Sequence, residues 1–260
     1  MTAAIRPRAL PLAALCAGLL ALTGCAALGL ERPPSAHQPL PTVDGSSAAP
    51  KASAQGDGSV LTDAQARAAL ITETDLGAPW SVTRGAATWR DALLKASTAA
   101  GECQRLLDAL YADELLGAPA RVAVGLDDAD TDAQLRYQIG ARRPADVDAA
   151  LAWLRTMPVQ CARFTAATES GLIEDVQVSE APLPEVGDVR AGLHVTVATM
   201  TSDGEEVVLT MDVAAVRVGE DAFTLTNAGL GDVPNDATQA AVQIGALRLA
   251  DVRKQGRAQV

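Results

Sequence analysis

The chain has 260 residues, with 21 Lys and Arg against 32 Asp and Glu, which gives a formal net charge of −11 at pH 7. Hydrophobic residues make up 48% of it, a share typical of globular proteins and not of disordered or fibrous ones. The acidic balance argues against nucleic acid or an anionic membrane surface as a partner, because both are bound through Lys and Arg. Aromatic residues are only 3% of the chain, which leaves few stacking surfaces for bases or sugars.

The first 24 residues have the anatomy of a secretory signal peptide. Arg6 and Arg8 precede residues 9–22, none of which is charged. As a helix these fourteen residues rise about 21 Å, which is short of the roughly 30 Å hydrocarbon core of a bilayer. We therefore expect residues 1–24 to be an export signal and not a permanent membrane span.

The segment ends in Leu22-Thr23-Gly24-Cys25, which resembles the lipobox of bacterial lipoproteins. The resemblance implies that Cys25 becomes the first residue of the mature chain and carries two or three fatty acyl chains such as palmitate. Two chains suffice for stable attachment, here to the outer face of the cytoplasmic membrane. The alternative is a plain secretory signal that happens to contain Cys25.

A tether is expected after the lipid attachment site. Residues 31–58 contain five Pro, four Ser, three Gly and five Ala without hydrophobic periodicity, so they cannot build a core. We expect residues 25–60 to be disordered, with an r.m.s. span of roughly 30 Å. Residues 61–260 are expected to form one domain.

Hydrophobic spacing predicts four helices in this domain. The first runs from Thr62 to Leu76, the third follows Pro144, and the last covers about 235–254. The second carries an apolar stripe at i, i+3, i+4 and i+7, formed by Cys103, Leu106, Leu107 and Leu110.

Alternation with period two predicts strands between the helices, most clearly over 134–142. Ser202-Asp203-Gly204 separates two alternating runs and indicates a hairpin. Further strands are predicted at 120–126, 162–168, 172–180, 193–197, 207–213 and 222–228. Short gaps between strands favour antiparallel pairing, so the predicted fold class is α+β, an antiparallel β-sheet flanked by helices in a single domain.

Catalytic chemistry is sparse in the sequence. Only His37, in the tether, and His194, on the polar face of a strand, are available as imidazole groups. His194 is either a solvated surface residue or one with a binding or acid-base role. Since no Gly-x-Ser-x-Gly, Ser-x-x-Lys, His-Glu-x-x-His or P-loop motif occurs, we expect no catalytic residue and no enzyme activity.

Two short motifs come close to cofactor sites. Gly229-Leu230-Gly231 lies between a predicted strand and a predicted helix, where either a phosphate cradle or an ordinary turn would fit. Asp128, Asp130 and Asp132 have the spacing of a calcium loop, but Ala133 and Ile139 stand where that loop needs Gly and Glu. A hairpin tip explains them equally well, so no cofactor and no metal is expected.

Two cysteines remain in the exported domain once the signal and Cys25 are set aside. Cys103 and Cys161 would meet an oxidising compartment, which favours a disulfide between them. The alternative is a pair of buried free thiols. A metal site is less favoured because no His or third Cys joins them.

The order of these elements resembles the PknH-like extracellular sensor domain family of actinobacterial exported proteins. The resemblance lies in a helix bearing Gly101-Glu102-Cys103-Gln104-Arg105-Leu106-Leu107, a second helix ending in Trp153 to Cys161, and a closing helix with Asn235-Asp236-Ala237. It covers roughly 62–254. It implies an antiparallel sheet flanked by helices, a cleft for a small molecule and no catalytic residue. Family members generally carry two disulfides, whereas this chain can form one.

Two functions follow as hypotheses. The first is a membrane-anchored extracytoplasmic lipoprotein with a non-catalytic ligand-binding or sensor domain for an unknown small molecule. The second is an envelope lipoprotein with a structural role or a protein partner. An apolar pocket lined by Trp80, Trp89 or Trp153 would favour the first, and a flat apolar patch would favour the second. Each Trp also has a simpler interpretation as a core residue.

Overall fold

The computed structural model describes residues 61–258. The predicted signal peptide, the lipid attachment site Cys25, the tether and His37 lie outside the described residues. Within them the chain forms five α-helices, one π-helical turn and nine strands. The helices are α1 (Asp63–Ala68), α2 (Glu73–Leu76), α3 (Gly101–Tyr111), α4 (Pro144–Gln160) and α5 (Asn235–Ala258), with the π-helical turn at Arg90–Leu94.

All nine strands belong to one antiparallel sheet, which confirms the predicted α+β class. Its spatial order is β1-β3-β4-β9-β8-β7-β6-β5-β2. The strands are β1 (Trp80–Val82), β2 (Ala96–Ser97), β3 (Val122–Asp128), β4 (Gln134–Gly140), β5 (Arg163–Thr168), β6 (Ile173–Glu180), β7 (Val189–Met200), β8 (Glu206–Val218) and β9 (Asp221–Leu230).

Helices cover both faces of the sheet. Because successive side chains of a strand point to opposite faces, Met211 and Val213 of β8 enter the core on the side of α3 and α4. Ala214 and Val216 enter the second core, on the side of α5, α1 and α2. β9 lies near the middle of the sheet and is buried on both faces, so the Thr residues that alternate with its apolar residues are buried as well.

α5 lies unusually close to the sheet at Gly245. A Cβ at this position would lie 2.6 Å from Cε2 of Tyr137 on β4. The Tyr137 ring is fully buried and stacks on Phe223 of β9, with ring centroids 5.0 Å apart. Glycine is therefore required here to let the helix backbone approach the ring.

The first predicted helix, 62–76, is wrong as a single element. α1 and α2 are separate helices, and Thr72 starts the second by donating its backbone N–H to the Asp75 carboxylate at 2.6 Å. Arg248 of α5 donates to that carboxylate and to the Leu70 carbonyl, at 2.7 and 2.6 Å. These hydrogen bonds give partners to backbone groups between α1 and α2. The Arg248 guanidinium also lowers the pKa of the Asp75 carboxyl below its usual range.

The predicted disulfide is confirmed. Cys103 in the first turn of α3 is bonded to Cys161, directly after α4, with the Cα atoms 5.6 Å apart. It fastens the two helices that lie on one face of the sheet. Within residues 61–258, no helix is both long and apolar enough to span a bilayer.

Candidate functional site

A cavity of about 610 Å³ lies between the segment Thr88–Leu93 and one end of the sheet, and we call it the Trp89 cavity. Its size is within the usual range for small-molecule sites, about 300–1,000 Å³. The walls are mostly apolar. The apolar lining includes Trp89, Leu93, Leu172, Val207 and Leu230, and Thr199 lies among them.

One wall of the Trp89 cavity is the π-helical turn, which Arg90 holds in place. Nη2 of Arg90 donates to the carbonyl oxygens of Leu110 and Tyr111, at 3.3 and 2.7 Å, and lies 3.0 Å from Oδ2 of Asp113. These partners lie at or just beyond the C-terminus of α3, where carbonyl groups lack intrahelical partners. Because α3 is bonded to the end of α4 through Cys103, this wall is attached to the main body of the domain.

Two residues of the opposite wall belong to a row of side chains that crosses four strands. Ala166, Glu174, Thr199 and Val207 are successive cross-strand partners on β5, β6, β7 and β8. Thr199 and Val207 line the cavity. Glu174 stands beside Thr199 with 0% of its surface exposed, and neither of its carboxylate oxygens has a hydrogen-bond partner.

Burial raises the pKa of the Glu174 carboxyl to about 7. The neighbouring hydroxyl does not relieve this, because Oγ1 of Thr199 donates to the Ile173 carbonyl at 2.9 Å. The residue is therefore an acid that changes its charge near neutral pH, next to an apolar cavity. The sequence analysis did not identify Glu174. Its position on β6 has the same parity as Val176 and Val178, so all three side chains point to the buried face of the sheet.

Charged side chains surround the mouth of the Trp89 cavity. Asp91 accepts a hydrogen bond from the Tyr111 hydroxyl at 3.0 Å, and Glu169 pairs with Lys95 at 3.0 Å. The Glu169 side chain is 73% exposed, so this pair is solvated and contributes little to stability. The cavity thus has an apolar interior, a buried acid beside it and acidic groups at its edge.

The structure does not bring the three candidate tryptophans together. Trp153 lines a more polar cavity of about 590 Å³ between α3 and α4, where its Nε1 donates to Glu102 at 2.8 Å and Arg105 lies 4.1 Å from the ring centroid. Trp80 is buried in the core beneath α5 and borders a third, smaller cavity. Among the three, Trp89 alone lines the mostly apolar cavity.

His194 belongs to a hydrogen-bond network that sequence analysis did not identify. Its Nδ1 lies 2.8 Å from Oδ1 of buried Asp212 on the paired strand. Oδ2 of Asp212 accepts from Asn235 at 2.8 Å and from Thr238 at 3.1 Å. The Ser202-Asp203-Gly204 hairpin signal could have predicted the His194–Asp212 contact. Residues at equal distances before and after Asp203 are cross-strand partners in β7 and β8. Within residues 61–258 no hydroxyl or thiol is hydrogen-bonded to His194, so the arrangement lacks a nucleophile.

The two short motifs have structural explanations. Gly229 passes so close to Ala133, the residue before β4, that a Cβ there would lie 3.1 Å from the Ala133 Cα, and Gly231 has φ of +85°. Asp128 is buried, and its Oδ1 accepts from the backbone N–H groups of Asp130 and Thr131 at 2.8 and 3.3 Å. The acidic run is therefore a hairpin tip closed by its own side chain.

Comparison with known proteins identifies no relative by sequence, because no family model and no curated protein matches the chain. One solved structure that resembles it is the extracellular domain of PknH from Mycobacterium tuberculosis, at 12% identity and a TM-score of 0.41. The match covers 76% of this chain and 98% of that one. At this distance the likeness assigns neither a site nor a function, and both rest on the geometry of this chain.

Proposed function

We propose that this chain is a membrane-anchored extracytoplasmic lipoprotein whose domain binds a small, mostly apolar molecule in the Trp89 cavity without converting it. The observation that carries the proposal is the cavity itself, about 610 Å³ of mostly apolar space beside an unpaired buried acid. Small-molecule sites combine an apolar concave surface with a few polar groups, as this one does.

The position of the cavity wall supports binding by a preformed site. Arg90 fixes the π-helical turn to α3 through three contacts, and the disulfide fixes α3 to the end of α4. A site that is ordered before the ligand arrives loses little conformational entropy on binding. This favours a receptor for a small molecule over a surface that folds around a partner.

The proposed location rests on the N-terminal sequence and on the disulfide. Leu22 to Cys25 supplies the attachment motif, and residues 25–60 supply a tether that keeps the domain close to the membrane. Structural disulfides such as Cys103–Cys161 are characteristic of exported proteins. Binding without turnover is proposed because no hydroxyl or thiol of residues 61–258 is hydrogen-bonded to the His194 imidazole, whose partner is Asp212.

Native mass spectrometry of the chain purified from its own host tests the proposal, since a retained molecule adds its mass to the protein. Leu230 lines the cavity and is 52% exposed, so Leu230→Asp should abolish retention without unfolding the domain. The matched control is Leu247→Asp, at a leucine on α5 that is 58% exposed and does not line the cavity. The proposal is contradicted if both variants lose the bound molecule equally, or if wild type itself retains no molecule.

A second candidate function is contact with another envelope protein. Ile173 and Met200 are 64% and 55% exposed, and they are adjacent on β6 and β7 one step beyond the Glu174–Thr199 pair. An apolar patch of this kind is a common feature of interaction sites. Crosslinking in cells distinguishes the two functions, because Ile173→Ser with Met200→Ser should remove a protein partner and leave small-molecule retention unchanged.

A further inference from the structure

A second large cavity, of about 590 Å³, lies between α3 and α4, and we call it the α3–α4 cavity. It shares no lining residue with the Trp89 cavity. The start of α3 is joined to the end of α4 by the disulfide Cys103–Cys161, and the other end of the cavity is formed by residues that follow α3 and precede α4. Along α4 the lining extends from Asp146 to Trp153, a helical rise of about 10 Å.

Arg142, which precedes α4, lines this cavity without a partner. Its Nε is buried and unbonded, and no hydrogen bond or ion pair within residues 61–258 engages its other guanidinium nitrogens. The other arginines of this region that lack a partner are all exposed, namely Arg67, Arg84 and Arg257. Arg142 also borders a smaller cavity, but its Nη2 lies 3.9 Å from where a Cβ of Gly117 would be, and Gly117 lines the α3–α4 cavity and not the smaller one. A partly buried guanidinium with no acceptor calls for an anionic partner.

An acid without a partner stands at the same end of the cavity. Glu114 follows α3 and lines the cavity, and its carboxylate accepts no hydrogen bond within the described part of the chain. Its backbone is held in place, because its carbonyl accepts from the Gly117 N–H at 2.7 Å and the preceding Asp113 is paired with Arg90 at 3.0 Å. No ion pair of residues 61–258 joins Arg142 to Glu114, so both groups are available to a ligand.

The two other acids of the cavity already have donors. Asp146 accepts from Nε and Nη2 of Arg143 at 2.9 Å each. These hydrogen bonds are the main cause of the lowered pKa of the Asp146 carboxyl, to which the charge of Arg142 adds a smaller contribution. Asp108 is exposed and accepts from a glutamine one turn earlier on α3, at 2.8 Å. A ligand near Gly117 therefore meets one unpaired cation and one unpaired anion among the described residues.

We propose that the α3–α4 cavity binds an α-amino acid with a large apolar side chain. Its carboxylate accepts from Arg142, its ammonium group donates to Glu114, and its side chain extends between the helices towards Trp153. This site is additional to the Trp89 cavity and does not depend on the function proposed for that cavity. Binding involves no covalent step.

The charges favour a zwitterion over a simple anion or a simple amine. A planar guanidinium matches a carboxylate through two parallel hydrogen bonds, and a carboxylate accepts from an ammonium group. A simple anion would be repelled by Glu114, and a simple amine would be repelled by Arg142. An α-amino acid carries both charges on one carbon, which suits two unpaired groups placed at one end of the cavity.

The remainder of the cavity suits an apolar side chain. Trp153 closes the other end, where its Nε1 donates to Glu102 at 2.8 Å and Arg105 lies 4.1 Å from the ring centroid. An aromatic side chain that extends towards this ring buries apolar surface. Small and apolar residues form most of the lining in between and leave room for it, namely Ala109, Ala112, Leu115, Ala149 and Ala150.

Isothermal titration calorimetry on the full chain carrying Cys25→Ser, which keeps acyl chains out of the assay, tests this proposal. The probes are phenylalanine, phenylpropanoate, phenethylamine and glycine. Relative to phenylalanine, the other three lack the ammonium group, the carboxylate and the side chain, in that order. We expect phenylalanine to bind at least about tenfold more tightly than each of them, because each has lost one of the three contacts.

Substitutions identify the contact that each charge makes. Arg142→Gln and Glu114→Gln should each weaken phenylalanine binding about tenfold. Arg142→Gln should also remove the preference for phenylalanine over phenethylamine, and Glu114→Gln should remove the preference over phenylpropanoate. The matched controls are Arg163→Gln and Glu206→Gln, at exposed residues that do not line the cavity, and both should bind phenylalanine as wild type does.

The outcomes separate this site from the Trp89 cavity. Binding of phenylpropanoate or phenethylamine as tightly as phenylalanine overturns the zwitterion, and equally tight binding of glycine overturns the apolar side chain. The site itself is overturned if no probe binds or if the control variants lose binding equally. Leu230→Asp alters the Trp89 cavity and should leave phenylalanine binding unchanged. The comparison of probes on the Arg142 and Glu114 parent chain decides these cases even if a variant does not fold.

Discussion

The buried acid should make the stability of the domain depend on pH in a way that one substitution removes. The perturbation is Glu174→Gln, which replaces the carboxyl by a neutral group of the same shape. Because burial raises the pKa of Glu174 from 4.5 to about 7, its protonated form is the one that the folded state favours. Glutamine mimics that protonated form at every pH.

The sign and size of the effect follow from the two pKa values. Below pH 4.5 the carboxyl is protonated in both the folded and the unfolded chain, so burial of its charge costs nothing. Between pH 4.5 and about 7 the unfolded chain releases the proton while the folded state retains it, so stability falls with rising pH until the buried carboxyl also ionises. At 1.36 kcal/mol for each pH unit between 4.5 and about 7, wild type loses roughly 3 kcal/mol relative to Glu174→Gln.

Chemical unfolding of both chains at pH 5, 6, 7 and 8 measures this difference. The free energies of unfolding should differ by about 1 kcal/mol or less at pH 5 and by roughly 3 kcal/mol at pH 8, with Glu174→Gln the more stable. Glu169→Gln serves as the control, because Glu169 is 73% exposed and should change stability little at any pH. Parallel curves for wild type and Glu174→Gln from pH 5 to pH 8 would refute the reasoning.

Three further predictions concern the disulfide, the anchor and the close helix–sheet contact. Replacing Cys103 and Cys161 together by Ser should lower the free energy of unfolding by roughly 4 kcal/mol, because the bond closes a loop of 58 residues; insensitivity of wild type to reductant in denaturant titrations would contradict this. Cys25→Ser should move the protein from the membrane fraction to the medium or leave it unprocessed, and membrane retention of a processed Cys25→Ser chain would refute lipid attachment. Gly245→Ala should destabilise by about 1–2 kcal/mol, since overpacking against the Tyr137 ring outweighs the gain in helix propensity; a more stable Gly245→Ala chain in thermal unfolding would contradict it.

The sequence predicts the sheet well because its strands have one buried face and one solvent-exposed face. Alternation over 134–142 and 172–180 locates β4 and β6, and Asp203-Gly204 locates the β7–β8 hairpin. The helix stripe through Cys103 and the cysteine arithmetic predict the disulfide. These signals come from residues close together in the sequence, so they can be recognised without knowledge of the fold.

The site is predicted poorly because it depends on segments with no period of their own. The π-helical turn has five residues and the neighbouring edge strand β2 has two, so neither shows a recognisable repeat. The phase of β6 points Glu174 inward, but a carboxylate at the end of a strand is normally solvated. The burial of this acid is a result of tertiary packing, which the sequence pattern does not show.

The cost of burying Glu174 depends on pH. Above neutral pH the folded domain holds a charge that no hydrogen-bond donor in residues 61–258 compensates. Natural sequences usually agree with their fold at every level, so a carboxyl that lowers the stability of the folded state is a local exception to that agreement. The difference between wild type and Glu174→Gln across the pH range measures the size of this exception.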